Sequence, residues 1–112
     1  MKLFDQQAAQ GDILITRIDG LPKGLREIAA DKGVHIVAHS ETGHHHVLPE
    51  QGVKLFQGED PMLLFAVVNA DIAELTHQRP FDTHEALGLR GGTYEIRRQR
   101  EYTPEGWRRV AD

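Results

Sequence analysis

Short apolar runs, punctuated every ten residues or so by Gly, Pro, Asn or Asp, are the feature that most restricts the fold of this chain. Runs of that length match strands rather than core helices. Their even spacing predicts an all-β fold, a small and mostly antiparallel barrel or sandwich. Gly11-Asp12 opens the run Ile13-Leu14-Ile15-Thr16-Arg17-Ile18, and Asp19-Gly20 closes it. Apolar on both faces, that run reads as a buried strand. Val34 to His39, Gly43 to Leu48 and Val53 to Gln57 read as further strands. Met62 to Val68 is continuously apolar, as a central strand would be. Asn69-Ala70-Asp71 reads as a turn, followed by a strand over Ile72 to His77. Leu21 to Gly33 reads equally as strand or helix. Leu25, Ile28 and Ala29 keep helical spacing, while Gly24 weakens a helix. The fold therefore has at most one short helix.

Leu87 to Arg90 and Thr93 to Tyr102 read as a hairpin around Gly91-Gly92, a pair suited to a type I′ turn. That register puts Leu87, Leu89, Tyr94 and Ile96 on the core face. It sets His84 opposite Gln99, with Glu101 beyond. Gln99 then either orients His84 or shares a ligand with it.

At 112 residues the chain has the length of one domain, residues 1–112, with a short C-terminal tail from about residue 103. It has no cysteine, which excludes disulfides, thiolate metal sites and a cysteine nucleophile. Its seven histidines are then the conspicuous ligating groups. No segment approaches the roughly 20 apolar residues of a membrane helix, and Met1 to Gln7 lacks an apolar leader core. A soluble cytoplasmic protein is the expectation. The formal net charge is −4, with Arg90, Arg97, Arg98, Arg100, Arg108 and Arg109 gathered near the C-terminus. An acidic domain argues against binding duplex nucleic acid through its backbone. The arginines read first as a solvated strand face. There is no glycine-rich phosphate loop, and Ser40 is the only serine, with no nucleophile elbow around it.

Five of the seven histidines fall between residues 35 and 46. A hairpin turning at Ser40-Glu41-Thr42-Gly43 would set residue 35 opposite 48, 37 opposite 46 and 39 opposite 44. Directly opposed residues share a face, with Cβ atoms about 4.5–5.5 Å apart. His35, His39, His44 and His46 then share one face, and His45 points away. His44 and His46, one residue apart on a strand, aim the same way. With His39, and with His84 or His77 as completers, they could hold a divalent ion. Imidazole and carboxylate donors suit Zn, Fe, Mn, Ni or Cu. With an open position, such an ion would bind or activate an oxygen ligand of a small molecule.

The segment His44-His45-His46-Val47-Leu48-Pro49-Glu50, followed by Gly58, resembles the first motif of the cupins. In that motif two histidines one residue apart precede a glutamate and a glycine. The resemblance implies a small β-barrel in which His44, His46 and Glu50 take metal-ligand places. The family's leading glycine is Ala38 here, the spacing from Glu50 to Gly58 is one residue long, and Pro49 disturbs the strand that would aim Glu50 inward. The second cupin motif is absent, so His77 and His84 are the only histidines left for its ligand. Gly11-Asp12-Ile13-Leu14, Thr42-Gly43-His44-X-His46 and the stretch Gly92 to Tyr102 also resemble a group of small uncharacterised bacterial and phage proteins. That resemblance implies one compact domain and singles out His44, His46, His84, Gln99 and Glu101.

The leading expectation is thus a metal-binding, cupin-like domain of unassigned activity. The alternatives are a non-catalytic assembly or binding module with a histidine-rich face, and a nucleic-acid accessory domain using Arg97, Arg98 and Arg100. Small β domains with exposed edges commonly pair them, so a homodimer is the expected assembly.

Overall fold

A computed structural model describes residues 1–38, 45–77 and 85–98 in full, and the backbone of Arg100–Thr103 and Gly106–Arg109. The described residues form eleven strands and no helix. These are β1 (Lys2–Leu3), β2 (Gln7–Gln10), β3 (Ile13–Ile18), β4 (Arg26–Ile28), β5 (Val34–Ala38), β6 (His46–Pro49), β7 (Val53–Gln57), β8 (Leu63–His77), β9 (Leu87–Arg98), β10 (Arg100–Thr103) and β11 (Gly106–Arg109). The main sheet runs β2-β3-β9-β8-β6-β5, with β7 and β4 continuing from β8 and β1 lying along β9. Only β1 pairs in parallel; the other pairings are antiparallel. The all-β expectation holds in its sandwich-like form, because the sheet is not closed into a barrel. The ambiguous segment between Leu21 and Gly33 contains a strand, β4, with Glu27 opposite Phe56. β10 and β11 form a separate two-stranded sheet in which Glu101 pairs with Arg108.

Two expected turns are instead continuous strand. Asn69-Ala70-Asp71 lies within β8, and Gly91-Gly92 within β9. The register between the two strands shifts between Val68 and Ile72, so β8 carries extra residues there. Asn69 N–H donates to Gly52 O across 2.7 Å, which keeps β8 extended through the irregularity. Gly91 lies opposite it for a steric reason. A Cβ there would stand 2.9 Å from Ala70 O, a backbone atom that cannot swing away. The four expected core residues of β9 are nonetheless buried: Leu87, Leu89, Tyr94 and Ile96. A turn and a mid-strand bulge both invert the inside–outside phase, so either places these four inward.

Past the irregularity, β8 alternates cleanly. Ala73, Leu75 and His77 face the core, while Ile72, Glu74 and Thr76 are exposed. The other expected correction lies in the β5–β6 pair. His35 opposes Leu48 as expected, and Ile36 opposes Val47, but His46 opposes Ala38 rather than Val37. Val37 is the extra residue of a bulge and is itself buried.

Tyr94 is fully buried and joins the core to the bend in β9. Its hydroxyl donates to Arg90 O at 2.6 Å and accepts from Arg17 Nη1 at 3.1 Å. Arg17 Nη2 also donates to Gly91 O at 2.7 Å. Burial pushes the Tyr94 pKa above the ordinary tyrosine value, against the pull of the Arg17 and Arg90 charges.

Two outcomes are expected. Gly91→Ala should lower the unfolding free energy by about 1–3 kcal/mol in urea melts, because backbone must move to admit the methyl group. A tyrosine that ionises late in the folded state favours the neutral hydroxyl. Its contribution to stability is therefore intact below the unfolded tyrosine value of about 10 and is lost as pH rises through the folded value. Spectrophotometric titration should show a late-ionising tyrosine that disappears in Tyr94→Phe.

Candidate functional site

Five polar side chains are buried among the described residues: Gln10, Asp12, His35, His46 and His77. Four of them meet. β2 and β3 are joined by the two-residue turn Gly11-Asp12, with Gln10 opposite Ile13. Gly11 takes φ 57°, the left-handed region that glycine enters without penalty. This tight turn brings Gln10 and Asp12 to the same imidazole. Gln10 Oε1 lies 2.9 Å from His46 Nδ1, and Asp12 Oδ1 lies 3.4 Å from His46 Nε2. His46 is 1% exposed.

His77 is the fourth member. His46 and His77 are directly opposed across β6 and β8. Opposed side chains share a face, and here the rings stack with centroids 4.0 Å apart and planes 8° from parallel. The strand expected over Ile72 to His77 is the second half of β8.

The hydrogen bonds of Gln10 decide the tautomer of His46. Gln10 Nε2 approaches two carbonyls, Leu75 O at 3.0 Å and Glu85 O at 3.1 Å. Carbonyls only accept, so that atom is the NH₂ and the other amide atom is oxygen. The oxygen only accepts, so Nδ1 of His46 carries the hydrogen and donates it. In the neutral ring Nε2 then holds a lone pair. That atom is buried and makes no hydrogen bond within the described structure. It faces a carboxylate oxygen, which is also an acceptor. With a proton on Nε2 the ring is an imidazolium and the contact is a buried ion pair.

His35 is a separate case. Its Nε2 lies 2.9 Å from Val53 O, so Nε2 carries the hydrogen and Nδ1 the lone pair in the neutral ring. Nδ1 is buried without a hydrogen bond. The described residues give it no ion-pair partner.

Of the residues expected to form the site, the structure brings His46 and His77 together. His39, His44, His84 and Gln99 lie outside the described residues. Glu101 is on β10, where only the backbone is described. The expected hairpin at Gly91-Gly92 does not form, because β9 runs unbroken from Leu87 to Arg98. Glu50 is exposed in the bend after β6, at the opposite end of that strand from His46. Pro49 ends β6, and the Glu50 N–H donates to Gly33 O. His45, expected to be at the surface, is half-buried. Among the described residues, no group of three or more His, Asp or Glu side chains is disposed to hold a metal ion.

Sequence reasoning missed Gln10 and Asp12. Asp12 entered only as part of the Gly11-Asp12 punctuation ahead of Ile13, and Gln10 carried no reading. The signal available was the tightness of Gly11-Asp12, which forces both neighbours of Gly11 to one end of the sheet.

A family model covers residues 9–99, a span that encloses Gln10, Asp12, His46 and His77. The family is described as a domain of unknown function, DUF8820. The chain belongs to that family. No curated protein and no solved structure matches it. The described residues contain no helix, and so none long and apolar enough to cross a membrane.

The hydrogen-bond logic makes a direct prediction. Gln10→Leu strands the Nδ1 hydrogen of His46 and two carbonyls, and should cost about 2–4 kcal/mol in urea melts. In the wild type, long-range proton–nitrogen NMR of the neutral ring should place the His46 hydrogen on Nδ1.

Proposed function

We propose that this member of the family binds a divalent metal ion through imidazole ligands centred on His46, as a small cupin-like domain of unassigned activity. The observation that supports the reading is the state of the His46 ring. One nitrogen is held by a side-chain oxygen, and the other is buried, makes no hydrogen bond within the described structure and stands 3.4 Å from the Asp12 carboxylate. Metal-binding imidazoles are prepared in that way, because the bond to the distal nitrogen fixes tautomer and ring orientation. His44, His39 and His84 are the further ligands of this reading, and Zn, Fe, Mn, Ni or Cu the candidate ions. What a bound ion supplies is a Lewis acid for an oxygen donor, so a small molecule with such a group is the ligand class expected.

Burial favours this reading over an assembly module with a histidine-rich face. His35, His46 and His77 are each at most 5% exposed, so these rings present little surface to a docking partner. The sheet is open, with β2 and β5 at the ends of its main path, and edge pairing in a homodimer remains part of the proposal.

Tag-free protein titrated with each ion should take up one equivalent, measured by elemental analysis after desalting. At 100 times Kd the bound ion should add about 2.7 kcal/mol, a rise in Tm on the order of 10 °C. His46→Gln should remove both effects. Absence of stoichiometric metal, with no change in Tm for any of the five ions, would sink the reading.

A further inference from the structure

We infer that the outer face where β1, β9 and β8 meet is the contact surface of a homodimer, with Met1, Leu3 and Ile72 at its centre and a second copy of this chain as the occupant. The inference rests on the homodimer of the reading above and gives its contact as a sheet face rather than a strand edge. It does not involve the metal ion.

Convergence is the first argument. Among the described residues the exposed large apolar side chains are Met1, Leu3, Leu21 and Ile72. All but Leu21 gather over one glycine. A Cβ at Gly88 would stand 2.5 Å from Leu3 Cδ2, 3.2 Å from Met1 Sδ and 3.3 Å from Ile72 Cγ2. Met1 and Leu3 arrive with β1, because Lys2 N–H donates to Ala86 O at 2.8 Å and Leu3 lies opposite Gly88. Ile72 arrives on β8. The missing side chain of Gly88 lets the three close on one another, yet they remain 59%, 42% and 42% exposed. Single apolar residues are ordinary on a surface, whereas a contiguous patch with a polar surround marks an interaction site.

Strand pattern is the second argument. Past the irregularity the outward residues of β8 are Ile72, Glu74 and Thr76. Glu74 and Thr76 are polar, as a solvated face requires, and Ile72 is the exception. Ile72 lies opposite Arg90, and Glu74 opposite Gly88. Directly opposed residues share a face, so Arg90 and Glu74 flank the apolar centre on a diagonal of the β8–β9 ladder. Both are exposed. Among the described residues neither has an ion-pair partner.

Charge selects the occupant. Consider a two-fold axis in the plane of the contact, perpendicular to the line from Arg90 to Glu74. It sets Arg90 of each copy over Glu74 of the other and keeps Ile72 close to its own equivalent. The patch is then self-complementary, as a two-fold interface requires. One cation and one anion leave no excess of positive charge for an anionic lipid surface. A stable interface takes about 800 Å² per partner, and these three side chains supply only its centre. A weak dimer is therefore expected, with a dissociation constant of about 10 µM.

Sedimentation equilibrium of the full chain should show a monomer–dimer mixture whose dimer share rises with concentration. Ile72→Lys should raise the dissociation constant at least about thirtyfold. Arg90→Glu alone should raise it at least about tenfold, because like charges then meet across the contact. Arg90→Glu combined with Glu74→Arg should return it to within about threefold of the wild type. The substituted side chains are exposed, so circular dichroism should be unchanged in each variant. Should Ile72→Lys not fold, amide NMR shifts followed on dilution of the wild type give an independent measurement, with changes expected at Leu3, Ile72 and Arg90. A dimer that withstands Ile72→Lys, or dilution shifts confined to β2 or β5, would overturn the face and leave an edge-paired homodimer standing. No rescue in the double charge variant would overturn the pairing of Arg90 with Glu74. A wild type that stays monomeric at every concentration would overturn the homodimer and this inference with it, and leave the metal reading in place.

Discussion

A strand edge can hydrogen-bond to one neighbour at a time, and β8 serves two by changing register between Val68 and Ile72. Before the shift, Val53 to Gln57 of β7 lie along it; after the shift, His46 and Val47 of β6 take that edge. β9 follows on the opposite edge throughout and bends with it at Gly91. The rest of the architecture depends on this change of partner. β7, with five residues, covers only Leu64 to Val68 of that edge, which leaves the end of β8 to β6 and sets His46 opposite His77. The buried polar cluster lies where β6 takes over the edge of β8.

Around that strand, Gln10 acts as a brace. Its amide joins the end of β2 to β8 through Leu75 O, to the approach to β9 through Glu85 O, and to β6 through His46. Each of these bonds contributes modestly, but leaving any of the groups unpaired in a dry interior is costly. Alternative registers of β2 or β6 would strand several at once. The cluster thus specifies one pairing of strands more than it adds to total stability.

Much of the fold was legible in the chain because strand burial has period two. Ile72 to His77 read as a strand and is one, and the pattern placed Leu87, Leu89, Tyr94 and Ile96 on the core face, where they are buried. Alternation cannot tell a turn from a bulge, since both invert the phase. For that reason Asn69-Ala70-Asp71 and Gly91-Gly92 read as chain reversals when they are bends in continuous strands. The bulge at Val37, which moves His46 from opposite Val37 to opposite Ala38, was not foreseen. The site was less legible because its contacts are not local. Gln10 bonds across 36 residues to His46 and across 65 to Leu75, and no spacing rule spans such separations. A strand pattern shows which side chains go in; the partners they meet are set by the order of strands in the sheet.

The position of β9 bears on how the chain acquires its shape during synthesis. β9 is the last strand of the main sheet in sequence and lies at its middle, between β3 and β8, with β1 along it as well. As the chain leaves the ribosome, β2–β3 and β4 through β8 can form only partial sheets with open inner edges. Those edges stay unpaired until residues 87–98 emerge, and open edges recruit other chains. β9 is therefore a closing element, and the main sheet is committed only once residues 87–98 are available.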